Sequence, residues 1–191
     1  MKETCFTQNA TKKLIPVLIL SLMAFTWVQG QTFTLKSKDV GGQATDKQVF
    51  NSFGCSGKNV SPELYWENPP QDTKSFAVTM YDPDAPTGSG FWHWVMFDIP
   101  SNVSELVSDA GNISKNLVPA GTILGNTDFG KPGYGGPCPP EGDKPHEYLI
   151  TIYALKVAKL GLDKSATPPL VGFYLNQNYI AKASIIMYFK R

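Results

Sequence analysis

Two apolar runs, "KSFAVTMY" at 74–81 and "FWHWVMFDIP" at 91–100, constrain the fold more than anything else in the chain. The first is nearly continuous in apolar residues, and the second alternates large apolar residues with His93, Val95 and Phe97. Strands of this kind are buried on both faces, so they have to lie between layers. Further β-rich runs bounded by turn residues are "QTFTLKS" at 31–37, "PELYW" at 62–66, "EYLITIYALKV" at 147–157 and "ASIIMYFKR" at 183–191. Helical patterning is convincing only in "PPLVGFYLNQNY" from Pro168, which opens on two prolines. A second short helix is expected near "VSELVSDAG" at 103–111. Many strands with few helices predict a mainly β fold, a predominantly antiparallel sandwich. Glycine and proline fall singly between the runs as turn punctuation, with no repeat and no low-complexity linker, so a single domain over 31–191 is expected.

The first thirty residues have a different character. Lys12 and Lys13 precede an apolar stretch from Leu14 to Val28, and "VQGQ" follows. These are the charged region, the apolar region and the small-residue cleavage site of a secretory signal, with Val28 and Gly30 at the −3 and −1 positions. The alternative is an uncleaved anchor, but the stretch is interrupted by Pro16 and is shorter than the ~20 apolar residues of a bilayer span. An exported protein, periplasmic or secreted, with no membrane span after cleavage, is therefore expected. The formal net charge of the whole chain is +1, without basic blocks, which argues against a nucleic-acid surface built on many phosphate contacts. Of the three cysteines, Cys5 leaves with the signal. Cys55 and Cys138 then form an even pair, most simply a disulfide in an oxidising compartment. Neither belongs to a C-x-x-C pair, so no metal site is expected at them.

His93 and His146 are the only histidines, and each sits in a proline- and glycine-rich stretch: "DPDAPTGSGFWHW" at 82–94 and "GYGGPCPPEGDKPHEY" at 133–148. Asp82 and Asp84 stand at the C-terminal end of an apolar strand, where loops carry function. Pro83, Pro86, Pro137, Pro139 and Pro140 restrict the backbone around both stretches. Rigid loops bearing both imidazoles suit a preorganised pocket for a small anion. His93, on a strand among aromatic neighbours, is alternatively a satisfied core residue.

These stretches also carry a resemblance. "YDPDAPTGSGFWHW" and "DFGKPGYGGPCPPEGDKPHEYLITIYAL", with "GKNVSPELYW" upstream and "LVGFYLNQNYIAKASI" downstream, resemble the phosphatidylethanolamine-binding protein family, on its bacterial, Raf-kinase-inhibitor-like branch. The likeness spans essentially all of 31–191. It implies a sandwich of two antiparallel sheets with a few peripheral helices, and a small pocket for phosphate-like anions or phospholipid head groups such as phosphoethanolamine. The residues it assigns to that pocket are Asp82, His93, Gly136, Pro139, Pro140, His146 and Tyr148. It also implies a binding or regulatory module, a kinase or protease inhibitor in some relatives, that is not an enzyme and uses no cofactor.

On this reading imidazoles and a tyrosine hydroxyl donate to the anion. Asp82 accepts from an imidazole N–H and favours its charged form, and the tryptophans wall the cleft. Asp84 orders the turn without entering the pocket.

Other chemistries are poorer matches. "GNTDFGKP" at 125–132 nearly spells a phosphate-binding loop, but Pro132 stands where the magnesium-binding hydroxyl belongs. Neither G-x-S-x-G nor H-E-x-x-H occurs. A hydrolase using Asp82, His93 and His146 as an acid–base set on a phosphoester or amide is the competing reading, and it lacks a nucleophile with a dedicated base. Sequons at Asn59, Asn102 and Asn112 are sugar acceptors only in a eukaryotic source.

Overall fold

The strands pair into two antiparallel sheets. A computed structural model describes Met1 and residues 31–191, so the expected signal segment lies outside the described residues. β1 (Thr34–Lys36), β2 (Leu64–Glu67) and β5 (Glu105–Leu106) form a small sheet in the order β1-β2-β5. β3 (Ser75–Asp82), β4 (Phe91–Pro100), β6 (Ile123–Leu124), β7 (His146–Leu155) and β8 (Tyr179–Phe189) form the larger one, in the order β6-β4-β3-β7-β8. The expected antiparallel sandwich is present.

Both faces of the larger sheet are covered, which explains the near-continuous apolar character of β3 and β4. On one face Phe76, Val78, Met80, Trp94, Met96, Ile150 and Ile152 pack against Leu35, Leu64, Trp66 and Leu106 of the small sheet. On the other, Ala77, Val95, Phe97 and Leu155 meet Val171 and Leu175 of α1 (Pro168–Asn178). An isolated helix of 11 residues is marginal in water, so α1 depends on this docking. Each of its two buried aliphatic side chains contributes about 1.5–3 kcal/mol. The prolines occupy its first turn, where no N–H needs an intrahelical partner. Tyr179, already extended, ends the helix and opens β8 with no intervening loop.

The helix expected at 103–111 is absent. Glu105 and Leu106 instead pair with Tyr65 and Leu64, and Leu106 is 1% exposed in the core. Ser104 accepts from the Trp66 N–H at 3.0 Å, so pairing with β2 overrides local preference. Among the described residues the few peripheral helices reduce to α1 and one 3-10 turn, Ile113–Lys115. Among the described residues no helix is long and apolar enough to cross a membrane.

Candidate functional site

Asp82 ends β3, Phe91 opens β4 and His146 opens β7, so antiparallel pairing gathers all three at one end of the larger sheet. Side chains alternate along β7, which puts His146 and Tyr148 on the same face as Ile150 and Ile152. β4 needs a further device. Tyr81 pairs with Trp92 and Met80 with Trp94, leaving His93 as an extra, bulged residue. With Trp94 in the core, strict alternation would turn His93 toward the helix side; the bulge returns His93 and Phe91 to the face of Asp82. Trp92 is turned away and packs at Gly172 of α1, and Trp94 lies in the core edge-on to Tyr134. The tryptophans therefore do not wall the cleft. The bulge sends one to each face.

The polar core of the site is a short chain of contacts. Asp82 is 2% exposed, and its Oδ2 lies 2.8 Å from Nδ1 of His146 and 4.0 Å from Nε2 of His93. Its Oδ1 accepts from the Asp84 N–H at 2.9 Å, a local turn that Pro83 stiffens. His93 is clamped by Gly135: its Nδ1 donates to the Gly135 carbonyl at 2.8 Å, and the Gly135 N–H donates to the His93 carbonyl at 2.9 Å. Burial pushes the His93 imidazole down to about 4, outweighing the Gly135 bond and the Asp82 charge. The expectation that Asp82 would hold this imidazole charged is overturned, because desolvation of a fully enclosed ring exceeds the attraction of a carboxylate 4.0 Å away. Burial, and next the Asp82 carboxylate, raise the Tyr148 phenol well above its ordinary range. Asp82 and the Cys138 backbone approach its hydroxyl, yet it makes no hydrogen bond to any described residue.

Around these groups is a cavity of about 140 Å³. Asp82, His93, His146 and Tyr148 line it together with Pro139 and Pro140. Phe53, Phe91 and Phe129 give the cavity an apolar side, and Phe53 is 68% exposed. Phe91 and Phe129 lie within the motifs that carry the resemblance, whereas Phe53 has no local signal, since its role depends on distant loops meeting. The segment "GNTDFGKP" is a turn that presents Phe129, with Asp128 accepting from the Trp92 N–H at 2.8 Å. Asp84 stays outside the cavity: it pairs with Lys144, which holds its carboxyl below the usual range, and it accepts from the Glu147 N–H at 3.0 Å. Among the described residues no cluster of three or more His, Cys, Asp or Glu suits a metal ion.

Gly136 does not line the cavity. Its N–H donates to Asn59 Oδ1 at 2.8 Å, while Asn59 Nδ2 donates to the Tyr134 carbonyl at 3.2 Å. Asn59, read from sequence only as a sequon, thus braces the proline loop from behind. A Cβ on Gly136 would lie 1.9 Å from the Gln48 carbonyl oxygen and 2.7 Å from the Phe50 nitrogen, and these backbone atoms cannot rotate aside. Gly136→Ala is expected to destabilise the fold by about 2 kcal/mol through overpacking. A urea midpoint equal to wild type would show that the loop yields freely. Cys55 and Cys138 form the expected disulfide, which ties the segment around Phe53 to the proline loop.

Residues 40–190 match the family model described as phosphatidylethanolamine-binding protein. The chain is 47% identical to YbcL of Escherichia coli K12 over 176 residues, covering 91% of this chain and 96% of YbcL. It is 42% identical to YbhB of the same organism over 149 residues, covering 78% of this chain and 93% of YbhB. The crystal structure of E. coli YbcL, a member of the mammalian PEBP family, matches with a TM-score of 0.81 at 48% identity, covering 83% of this chain and 98% of that one.

Proposed function

Because the chain belongs to the phosphatidylethanolamine-binding protein family, we propose that it is an exported, non-catalytic module whose cavity holds a phosphate-like anion or a phospholipid head group. The observation that carries the reading is the Tyr148 hydroxyl, fully buried, unpartnered among the described residues, and at a cavity it shares with His146. A buried donor of this kind gains a hydrogen bond when an oxyanion enters. The Asp82 carboxylate opposes an anion less than its charge suggests, because both its oxygens already accept N–H bonds. The apolar side of the cavity suits the organic part of a phosphomonoester or head group. Export is supported by the apolar segment at 14–28 and by the disulfide, a bond that persists in oxidising compartments.

Calorimetry with inorganic phosphate and phosphoethanolamine tests the pocket. Tyr148→Phe is expected to weaken binding by ~1.5–3 kcal/mol, the value of a hydrogen bond to a charged group, and His146→Ala to weaken it by leaving the buried Asp82 carboxylate without its N–H partner. Equal affinity in wild type and both variants would locate the ligand elsewhere. The Asp82–His146 contact at 2.8 Å is also the arrangement of an oriented general base, which favours the hydrolase as second reading. Phosphoester turnover by the same sample, lost in His146→Ala, would select it.

A further inference from the structure

Two acceptors face each other across the cavity floor. The Gly135 carbonyl can only accept, so the proton of neutral His93 sits on Nδ1 and Nε2 presents a bare lone pair. The Nε2 atom lies 4.0 Å from Asp82 Oδ2, a spacing at which one donor oxygen lying off the line between them is within ~2.8 Å of both. The other titratable groups do not fill this notch. His146 is engaged through Nδ1 with Asp82, and its Nε2 faces Asp143 Oδ2 at 3.4 Å. Asp84 is paired with Lys144 outside the cavity, and Tyr148 offers only its hydroxyl. A fully deprotonated oxyanion entering here would set its own lone pairs against those of His93 and Asp82.

We propose that the cavity selects anions that still carry an acidic proton: a phosphate monoester or inorganic phosphate in its singly charged form, whose P–OH donates into the notch between His93 Nε2 and Asp82 Oδ2. The Tyr148 hydroxyl donates to another of its oxygens. This rests on the phosphate-like-anion half of the reading above, narrows it to monoesters against the diester of an intact phospholipid, and adds a reason for the buried carboxylate. Asp82 and the neutral His93 are then the specificity-determining residues, rejecting sulfate and phosphodiesters, which have no proton to give at neutral pH. Burial keeps His93 neutral throughout the physiological range, so its lone pair is always available.

The test is calorimetry on the wild-type protein with methyl phosphate, dimethyl phosphate and sulfate, from about pH 6 to about pH 8. Methyl phosphate is expected to bind, with affinity falling about tenfold per pH unit above its second pKa near ~6, as the protonated form disappears. Sulfate and dimethyl phosphate are expected to bind roughly 100-fold more weakly at neutral pH, because neither satisfies the notch. Equal affinities for methyl phosphate and sulfate, or an affinity for methyl phosphate that is flat or rising with pH, would overturn the proposal while leaving the anion pocket standing. A fall with pH shared by sulfate would likewise overturn it, since sulfate has no proton to lose over this range. Failure of all three ligands to bind would remove the pocket reading itself. In Asp82→Asn an amide N–H replaces an acceptor, and the preference for methyl phosphate over sulfate is expected to narrow at least tenfold; the wild-type series decides the matter without the variant.

Discussion

Replacing Cys55 and Cys138 together with alanine is expected to lower the unfolding free energy by roughly 4 kcal/mol. The bridge spans a sequence separation of 83 residues, and a loop of that size has much conformational freedom in the unfolded chain that the cross-link removes. The native side of the balance adds to the effect. The loop after Phe50 carries Phe53, one of the most exposed large apolar side chains in the fold, and the disulfide anchors it to the proline loop. Other contacts remain without it: the Phe50 N–H donates to the Pro137 carbonyl at 3.0 Å, Arg191 donates to the Phe53 carbonyl at 3.1 Å, Phe53 packs on Phe129, and Asn59 holds Tyr134 and Gly136. Phe53 and Cys138 both line the cavity, so the double variant is also expected to bind phosphate less tightly than wild type. Urea unfolding with and without reductant measures the stability term. A midpoint shift in wild type that matches the double variant assigns it to the bridge, whereas an unchanged midpoint would contradict the argument.

Acidification is expected to destabilise the protein by about 3 kcal/mol through His93 alone. Its folded value of about 4 lies below the ordinary 6.5, so the unfolded chain binds the proton more readily. Stability from this group is therefore complete above about pH 6.5 and falls as pH drops toward about 4. Below that both states are protonated and no further loss comes from it. The physical origin is the enclosed ring, 5% exposed, whose single N–H is already committed to Gly135. His93→Asn keeps a donor near the Nδ1 position and cannot titrate, so its stability is expected to vary less over this range by the same amount. Denaturant titrations of both proteins at several pH values provide the comparison. Parallel curves would assign the acid sensitivity to other groups.

Much of the fold was legible because strand patterns are local. The runs at 74–81 and 91–100 correspond to β3 and β4, buried on both faces, and the paired prolines mark the start of α1. The segment at 103–111 was misread because two residues paired with β2 outweigh the preference of the remaining seven. For the site, the sequence pointed to Asp82, the imidazoles and the proline loop, and all but Gly136 of the residues that the family resemblance assigned line one cavity. Phe53, and Phe129 despite its place in the second motif, were not assigned to the site because nothing near them in sequence says which loops meet.

What the sequence determined by itself is therefore six of the eight strands described, the cysteine pair and the chemical inventory of two motifs, since each depends on residues near one another in the chain or on a simple count. Tertiary structure alone decided how those groups act. A one-residue bulge at His93 reversed the facing of Phe91, Trp92 and His93, because it depends on how β4 registers against β3. Enclosure by Gly135, Phe91, Phe129 and Tyr148 set the charge of that imidazole, because desolvation is a property of everything packed around a group and of no residue by itself.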